Sequence, residues 1–333
     1  MEDYTRELKM TFVNVGYGEA ILLECPDDSR PDGVFHALID GGSANASEFE
    51  DRTSGRIPIA DFLTARGVPR LDLAVSTHIH EDHICGLLRA AQLYPPAVLW
   101  QTLPPAFYLG LHPLDTKQAR NLSERNFLQA LNDHISLCFT TERSGGRIEM
   151  LHAGDTRTLC PGLTAKVLAP SAADAEALRQ SMRELYAEHD PEAFLRHLDE
   201  LDARMNNYSL MLLLDHCGTR ILLPGDTNRA GYAGIPAEAL PAHLFKVGHH
   251  GQIDGADQAL IDCIKPEAVI CCASSDRRYN SAHPDTMRLL RENGASLYFS
   301  DCPPVDGEDI PPHAALEFTI GMNGAWRARY LPA

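Results

Sequence analysis

The chain has 333 residues, of which 44% are apolar and 23% are charged, a composition that is ordinary for a folded globular protein. It excludes a disordered chain, a collagen-like chain and a coiled coil. The 29 Lys and Arg residues stand against 46 Asp and Glu residues, and the resulting net charge of −17 disfavours binding of a long nucleic-acid duplex through a broad basic surface.

The sequence shows no pattern of a targeting or membrane-spanning segment. No apolar run reaches the roughly 20 residues that cross a bilayer. The charged start MEDYTRELKM also lacks the basic and then apolar layout of a signal peptide. The nine cysteines include no C-x-x-C pair, so we expect reduced, mostly buried thiols rather than zinc fingers. These features predict a cytoplasmic protein without a membrane partner.

The N-terminal part predicts mainly strands. Short β-rich runs are bounded by Gly, Pro and Asp, as consecutive antiparallel strands usually are, and two runs have apolar residues at helical spacing. The predicted strands lie at 9–14, 20–24, 35–42 and 71–76, and the predicted helices at 59–66 and 84–93. The following residues, 96–140, show only a mixed and weakly periodic pattern and receive no prediction.

A change of composition follows the strands predicted at 147–169. Between 171 and 204 glycine disappears, and Ala, Leu, Glu, Asp and Arg dominate. We interpret this segment as a helical pair broken at Asp190-Pro191, and as a solvated acidic insertion within a single domain spanning 1–333. Its surface is a candidate docking site for a protein partner.

Strands and helices alternate in the last third of the chain. The predicted strands lie at 210–214, 221–223, 244–247, 268–272, 296–299 and 315–320, and the predicted helices at 257–264 and 285–293. The order of elements along the whole chain predicts two sheets with helices on their outer faces.

The run THIHEDH at 77–83 directly follows a predicted strand. Strand ends and the loops after them are where a rigid scaffold presents functional groups. His78 and His80, two positions apart, can reach one metal, while Asp82 and His83 at a helix start can reach a second. The density of ligand types favours a metal site over a chance run of polar loop residues.

This run resembles the H-x-H-x-D-H signature of the metallo-β-lactamase superfamily, and further runs follow in the family's order: VGYGEAILLE, LIDGG, ILLPGDT and LFKVGHHG. Within the superfamily the chain is most similar to the soluble hydrolase domain of the ComEC competence protein and its free-standing relatives, through NNYSL, KVGHHG and AHP. The resemblance implies an α+β fold, a four-layered αββα metallo-β-lactamase sandwich, with the site at the common edge of both sheets.

The resemblance also implies a site for two divalent metal ions, zinc or manganese. His78 and His80 would bind the first ion, Asp82 and His83 the second, and Asp226 would bridge both.

The last ligand of the second ion would come from the adjacent His249 and His250. We expect His249, because the family's ligand directly follows the strand end. His250 is the alternative metal ligand. If it does not bind metal, it would contact the substrate or a metal-binding side chain.

One departure from the family concerns the first metal site. Most superfamily hydrolases place a further His just before the strand that precedes Asp226, whereas this chain has Asn206 and Asn207 there. The first site would be weak unless Asn206 or Asn207 supplies an amide oxygen, and an oxygen-richer site shifts the expected metal from zinc towards manganese. The nearest histidine, His216, is expected to be an exposed hairpin residue.

Some residues outside the ligand runs have two interpretations. Asp40 would orient a metal-binding histidine or cap a turn. Lys246 would point to solvent or pair with a carboxylate. Arg277 and Arg278 would bind a phosphate or be solvated.

Together these features predict a metal-dependent hydrolase. Two adjacent cations lower the pKa of a shared water and polarise the bond that breaks. Asp82 would also orient the attacking group, and His250 or His283 would protonate the leaving group.

The ComEC-like resemblance implies phosphodiester cleavage, so the expected partner is a phosphorylated small molecule, such as a nucleotide, or a short single-stranded nucleic acid. Two alternatives stay open: a hydrolase of a carboxylic ester, lactone or thioester, and a non-catalytic metal-binding interaction or sensing protein. Basic residues at the mouth of the site would favour phosphate, and an apolar mouth would favour an ester.

Overall fold

The structure, a computed structural model, describes residues 7–50 and 53–333, so most of the charged N-terminal start lies outside the described residues. The strands are β1 (Leu8–Val13), β2 (Ile21–Pro26), β3 (Val34–Ile39), β4 (Leu73–Val75), β5 (Val98–Gln101), β6 (Arg147–Met150), β7 (Thr156–Cys160), β8 (Leu163–Ala169), β9 (Met211–His216), β10 (Thr219–Leu223), β11 (Leu244–Lys246), β12 (Ala268–Cys271), β13 (Ser296–Phe299), β14 (Ala315–Ile320) and β15 (Trp326–Leu331). The α-helices are α1 (Ile59–Arg66), α2 (Glu81–Leu93), α3 (Leu122–Arg143), α4 (Ala172–Ala187), α5 (Pro191–Met205), α6 (Gln258–Ile264) and α7 (Pro284–Glu292). None of the helices in the described residues combines the length and the apolar character needed to cross a lipid bilayer.

Two mixed sheets form the centre of the fold. The first has eight strands in the order β15-β14-β1-β2-β3-β4-β5-β6, and the second has seven in the order β13-β12-β11-β10-β9-β8-β7. In the first sheet the strands from β3 to β6 are parallel, and in the second the strands from β10 to β13 are parallel. Because parallel neighbours end at the same edge, the loops after these strands are gathered at one end of the sandwich.

Three hydrophobic clusters hold four layers together. The side chains of β2 alternate as a strand requires: Ile21, Leu23 and Cys25 face the second sheet, whereas Leu22 faces the helices outside the first. Helices α1, α2 and α3 cover the outer face of the first sheet, and α6 and α7 cover the outer face of the second. The expected α+β, four-layered αββα sandwich is confirmed.

The longest helix, α3, lies in the segment that the sequence left without a prediction. Its N-terminus is capped by Asn121, whose side chain accepts a hydrogen bond from the backbone N–H of Glu124. Its buried face includes Phe127 and Leu131, but also the polar His134 and Thr141. These polar residues interrupt the apolar stripe, so the helical period is weak in the sequence although the helix is well packed.

The acidic segment 171–204 contains α4 and nearly all of α5. Asp190 caps α5, because its carboxylate accepts a hydrogen bond from the backbone N–H of Ala193 at 2.8 Å. Leu178 of α4 and Leu198 of α5 are fully buried in the cluster outside the first sheet. The helical pair is therefore packed onto the domain through an apolar face, with its charged residues largely on the other side.

Candidate metal centre

The run at 77–83 lies between the end of β4 and the first turn of α2. His80 is the last residue before the helix, and His78 is buried in the preceding loop. His78 Nε2 and His80 Nδ1 lie 3.1 Å apart. Two ligand atoms on one tetrahedral metal, with bonds of about 2.1 Å, are about 3.4 Å apart. The two rings thus present nitrogens to a common position.

Asp82, His83, Asp226 and His250 form a second cluster, and one ligand atom from each lies within 4.8 Å of all the others. His250 Nε2 is 3.0 Å from Asp82 Oδ2 and 2.8 Å from Asp226 Oδ2. His83 Nε2 is 3.4 Å from Asp226 Oδ2 and 3.6 Å from Asp82 Oδ2. Two imidazoles and two carboxylates that converge in this way are a donor set that fits a divalent metal ion.

The orientation of His83 supports this fit. Its Nδ1 donates to Asp40 Oδ2 at 2.8 Å, and Asp40 also accepts hydrogen bonds from the Thr77 backbone N–H and hydroxyl at 2.9 and 2.6 Å. The buried Nε2 is left without a hydrogen-bond partner among the described residues. Carboxylate–histidine pairs of this kind orient metal-binding imidazoles. A cation between Nε2 and the carboxylates of Asp82 and Asp226 would satisfy this nitrogen.

The charges of this cluster also favour a cation. Burial opposes protonation of His83, yet the carboxylates of Asp226, Asp82 and Asp40 raise the pKa of His83 well above its ordinary value. Burial likewise opposes ionisation of Asp82, but His83 and His250 lower the pKa of Asp82 to about 2. The Asp82 carboxylate therefore stays ionised at neutral pH and attracts positive charge.

Of the two adjacent histidines, the structure brings His250 and not the expected His249 to this cluster. His250 is buried, and its Nδ1 donates to the Cys272 carbonyl at 2.7 Å, which leaves Nε2 towards the carboxylates. His249 is partly exposed, and its Nδ1 lies 2.8 Å from Asp254 Oδ1. Both residues have a left-handed backbone, with φ of 48° and 51°. The chain turns so sharply after β11 that the second histidine, rather than the first, points back to the site.

A buried lysine holds the carboxylate that we expect to bridge the metals. Lys246 on β11 is fully buried, and its Nζ lies 3.0 Å from Asp226 Oδ1 and forms an ion pair with the buried Glu19. Burial opposes the charge on Lys246, but Glu19 and Asp226 raise its pKa well above the ordinary value. Lys246 therefore pairs with carboxylates rather than pointing to solvent. It takes one oxygen of Asp226, and the other oxygen faces His83 and His250.

The structure places His283 at the start of α7 rather than in either cluster. Its ring Nδ1 accepts a hydrogen bond from the backbone N–H of Asp285 at 3.2 Å, which leaves the proton on Nε2. The loop before it packs against the loop that carries His250, because the Ala282 N–H donates to the His250 carbonyl and the His283 N–H donates to the Gly251 carbonyl. The His283 ring is 28% exposed, so it is open to solvent beside the site.

The two asparagines that replace the family's histidine have different surroundings. Asn207 Oδ1 accepts a hydrogen bond from the backbone N–H of Asn228 at 3.3 Å. Asn206 Oδ1 is buried and has no hydrogen-bond partner within residues 7–50 and 53–333. Asn206 is therefore the one whose amide oxygen is available. His216, expected to be exposed, is instead 2% exposed at the far end of β9.

Asp202 of α5 is a site residue that sequence reasoning missed. Its Oδ1 lies 3.0 Å from His80 Nε2, the ring nitrogen opposite the one that faces His78. The acidic segment thus reaches the ligand run from 122 residues away. Nothing in the local pattern distinguishes Asp202 from the other acidic residues around it. Glu19 was missed for a similar reason, because its partner Lys246 is far away in the sequence.

Comparison with known proteins places this geometry in context. A family model described as the Metallo-beta-lactamase superfamily matches residues 30–274. ComE operon protein 3 of Bacillus subtilis (strain 168) is 24% identical over 331 residues, which cover 91% of this chain and 35% of that protein. The chain thus spans about a third of the length of this curated relative.

Two solved structures are also similar to the chain. One, from Parabacteroides distasonis ATCC 8503 and assigned as a metal-dependent hydrolase, is 13% identical with a TM-score of 0.43, and the match covers 91% of this chain and 97% of that one. The other, Zn²⁺-bound PqqB from Methylobacterium extorquens, is 10% identical with a TM-score of 0.44 and coverage of 84% and 85%.

Proposed function

The chain belongs to the metallo-beta-lactamase superfamily and is a metal-dependent hydrolase, and we propose that it cleaves phosphodiester bonds in a nucleotide or a short single-stranded nucleic acid. The resemblance to the ComEC soluble domain, which the match to ComE operon protein 3 supports, implies this chemistry. A cytoplasmic location is part of the proposal.

The proposed metal ligands are the side chains whose free nitrogens or carboxylate oxygens converge at the edge of the two sheets. They are His78, His80, Asp82, His83, Asp226 and His250. Mixed nitrogen and oxygen donors suit zinc or manganese. Such ions, when bound, activate a water molecule and polarise the phosphoryl oxygen. In this proposal Asn206 supplies the amide oxygen that takes the place of the family's additional histidine.

In this proposal, side chains of the protein orient the attacking water, hold the bridging carboxylate and protonate the leaving group. Asp82 is 15% exposed against 3% for Asp226, so Asp82 is the carboxylate that can orient the attacking water. Lys246 keeps Asp226 in one orientation, as its contacts indicate. His283, with its proton on Nε2 and its ring partly exposed, is the proposed donor to the leaving group.

The residues on the surface beside His250 favour a phosphodiester over an ester as the substrate. Tyr17, Arg277, Arg278 and Tyr279 form this mouth surface. The Tyr17 ring lies 4.5 Å from the His250 ring and 5.1 Å from the Tyr279 ring, and the Tyr279 side chain is 58% exposed. Arg278 is paired with Glu48 and Asp276. Arg277 forms no ion pair within the described part of the chain, and its Nε donates to the Ser281 carbonyl at 3.2 Å, so its terminal nitrogens are available to a phosphate. A stacking ring beside such a cation suits a base and its phosphate.

The test is metal content measured together with hydrolysis of bis(p-nitrophenyl) phosphate and p-nitrophenyl acetate, with added zinc or manganese. We expect metal-dependent diester turnover that falls by about 10²-fold or more in Asp82→Ala, because this variant loses a metal ligand that also orients the attacking water. Asp309→Ala, which removes an exposed loop carboxylate, is the matched control and should be unchanged. Turnover of the acetate alone would contradict the proposal.

Asp202 is expected to position His80 for the first metal ion. Asp202→Ala should weaken binding of one of the two ions by about 10–100-fold, because the His80 ring loses its orienting carboxylate. Asp202→Asn retains an oxygen that accepts the same hydrogen bond and should keep most of the affinity. Competition with a chromophoric chelator measures the effect without reference to activity.

Asp199→Ala is the control for Asp202, because Asp199 lies one turn earlier on α5 and pairs with Arg120 instead. Equal metal affinity of Asp202→Ala and Asp199→Ala would show that the contact with His80 has no role in metal binding.

Tyr279 is expected to contribute to binding of the base. Tyr279→Ala should raise KM for a dinucleotide about fivefold or more, since stacking of one base contributes about 1–3 kcal/mol. The turnover number should stay within about twofold, because the ring does not touch the proposed ligands directly. Tyr279→Phe keeps the ring and should behave as the wild type. An unchanged KM in Tyr279→Ala would exclude this residue from substrate binding.

A further inference from the structure

A second group of reactive side chains lies at the end of the sandwich opposite the metal centre. Strand β2 starts beside Glu19, the partner of Lys246, and runs six residues to Cys25, a distance of about 20 Å. Cys25 in the first sheet meets Cys160 at the end of β7 in the second sheet. His216 at the end of β9 joins them.

These three side chains are neighbours and are almost completely buried. Leu163 pairs with Cys160 on one side and with His216 on the other, Cys25 and Cys160 belong to one buried cluster, and Cys25 and His216 line the same cavity. Their exposed fractions are 1%, 4% and 2%. Neither ring nitrogen of His216 has a conventional hydrogen-bond partner among the described residues. The ring therefore has a nitrogen that no other described group occupies.

A cavity of about 240 Å³ connects this group with solvent. Its wall includes Cys25 and His216, together with Pro26, Gly162, Cys217 and Met322. A volume of this size admits small molecules but not a tripeptide disulfide, because one water occupies about 30 Å³. The Cys25 sulfur is therefore within reach of a small neutral oxidant.

We propose that Cys25 and Cys160 form a dithiol that hydrogen peroxide oxidises to a disulfide joining the two sheets, with His216 as the base. The Cys25 thiolate attacks one peroxide oxygen, the O–O bond breaks, and the leaving hydroxide takes the proton held by His216 to become water. The Cys160 sulfur then attacks the sulfenic sulfur of Cys25 and displaces hydroxide, which takes the Cys160 proton. Two thiols and one peroxide give one disulfide and two waters.

The electrostatics agree with these roles. The Cys160 thiol donates to Cys25, and this hydrogen bond lowers the pKa of Cys25. His216 lowers it further, whereas burial and Asp27 raise it. The pKa of Cys25 is about 6. The same hydrogen bond and burial raise the pKa of Cys160, while Asp27 adds to the shift and Arg30 opposes it. Cys25 lines the cavity and Cys160 does not, so Cys25 is the attacking thiolate and Cys160 the resolving thiol.

The experiment treats the full-length protein with a small molar excess of peroxide, blocks the remaining thiols and maps the peptides by mass spectrometry. We expect a linked Cys25–Cys160 peptide, lighter by two hydrogen atoms and reversed by dithiothreitol. His216→Gln should slow its formation about two- to fivefold at pH 7, because less of Cys25 is thiolate. Cys217→Ser, in the same cavity wall, should leave the linkage intact.

A second measurement does not depend on any variant folding. The rate at which iodoacetamide alkylates Cys25 in the wild type should rise with a midpoint near pH 6, rather than near the pH of about 8.5 that is usual for cysteine. A midpoint near 8.5, oxidation confined to Cys217, or peroxide treatment that leaves Cys25 and Cys160 unlinked would each overturn the proposal.

Discussion

His250→Ala is expected to lose one metal ion and more than about 100-fold of phosphodiester turnover, whereas His249→Ala keeps both. The reason is the turn after β11. It places His250 Nε2 within 3.0 Å of the Asp82 and Asp226 carboxylates, while His249 pairs with Asp254 outside the cluster. The two residues are adjacent and identical in type, so each variant is the matched control of the other.

The measurement is metal stoichiometry by mass spectrometry under native conditions, followed by turnover of bis(p-nitrophenyl) phosphate. Equal losses in both variants would mean that the loop rearranges on binding metal. Loss of metal in His249→Ala alone would show that His249 is the metal ligand, as the sequence predicts, and would remove His250 from the proposed ligands.

Lys246→Met is expected to lower the free energy of unfolding by about 3–5 kcal/mol, because the buried Glu19 loses its ion-pair partner and Asp226 loses the partner of one of its two oxygens. Glu19 and Asp226 are almost completely enclosed, so water cannot replace the ammonium. Chelator-treated protein is unfolded in urea, so that the change reports the ion pairs and not lost metal. In the double variant Lys246→Met with Glu19→Gln, part of the loss should return, since one unpaired charge is removed.

Lys166→Met is the control for this experiment. Lys166 lies on β8 with its side chain exposed, and its replacement should change stability by less than about 0.5 kcal/mol. If Lys246→Met costs no more than this control, the two carboxylates are not held by Lys246.

The sequence predicted those features that depend on neighbouring residues. The run at 77–83 holds four of the proposed ligands, because a strand end followed by a helix start brings them together without help from the rest of the fold. Asp40 also follows its strand directly, and its role beside His83 is one of the two that the sequence suggested. The alternation of strands and helices was enough to indicate two sheets with helices outside.

The features that the sequence did not reveal depend on contacts between distant segments or on backbone turns. The partners Lys246 and Glu19 are 227 positions apart, and the residues next to each of them in the sequence do not indicate the ion pair. The contact between Asp202 and His80 requires α5 to pack beside α2 and α3. His250 rather than His249 reaches the cluster because both residues have a left-handed backbone. This conformation is uncommon for residues other than glycine, so the sequence does not predict it.

The pairing of β1 with β14 has a consequence for synthesis of the chain. Leu8 pairs with Ile320, so about 300 residues separate the two partners. At about 5–20 residues per second, a ribosome takes roughly 15–60 s to add the second partner after the first. During that interval one edge of the first sheet has unpaired N–H and C=O groups and is open to pairing with another nascent chain. All the proposed metal ligands emerge before this edge closes, so the metal ions can be captured by a domain whose sheet is still one strand pair short.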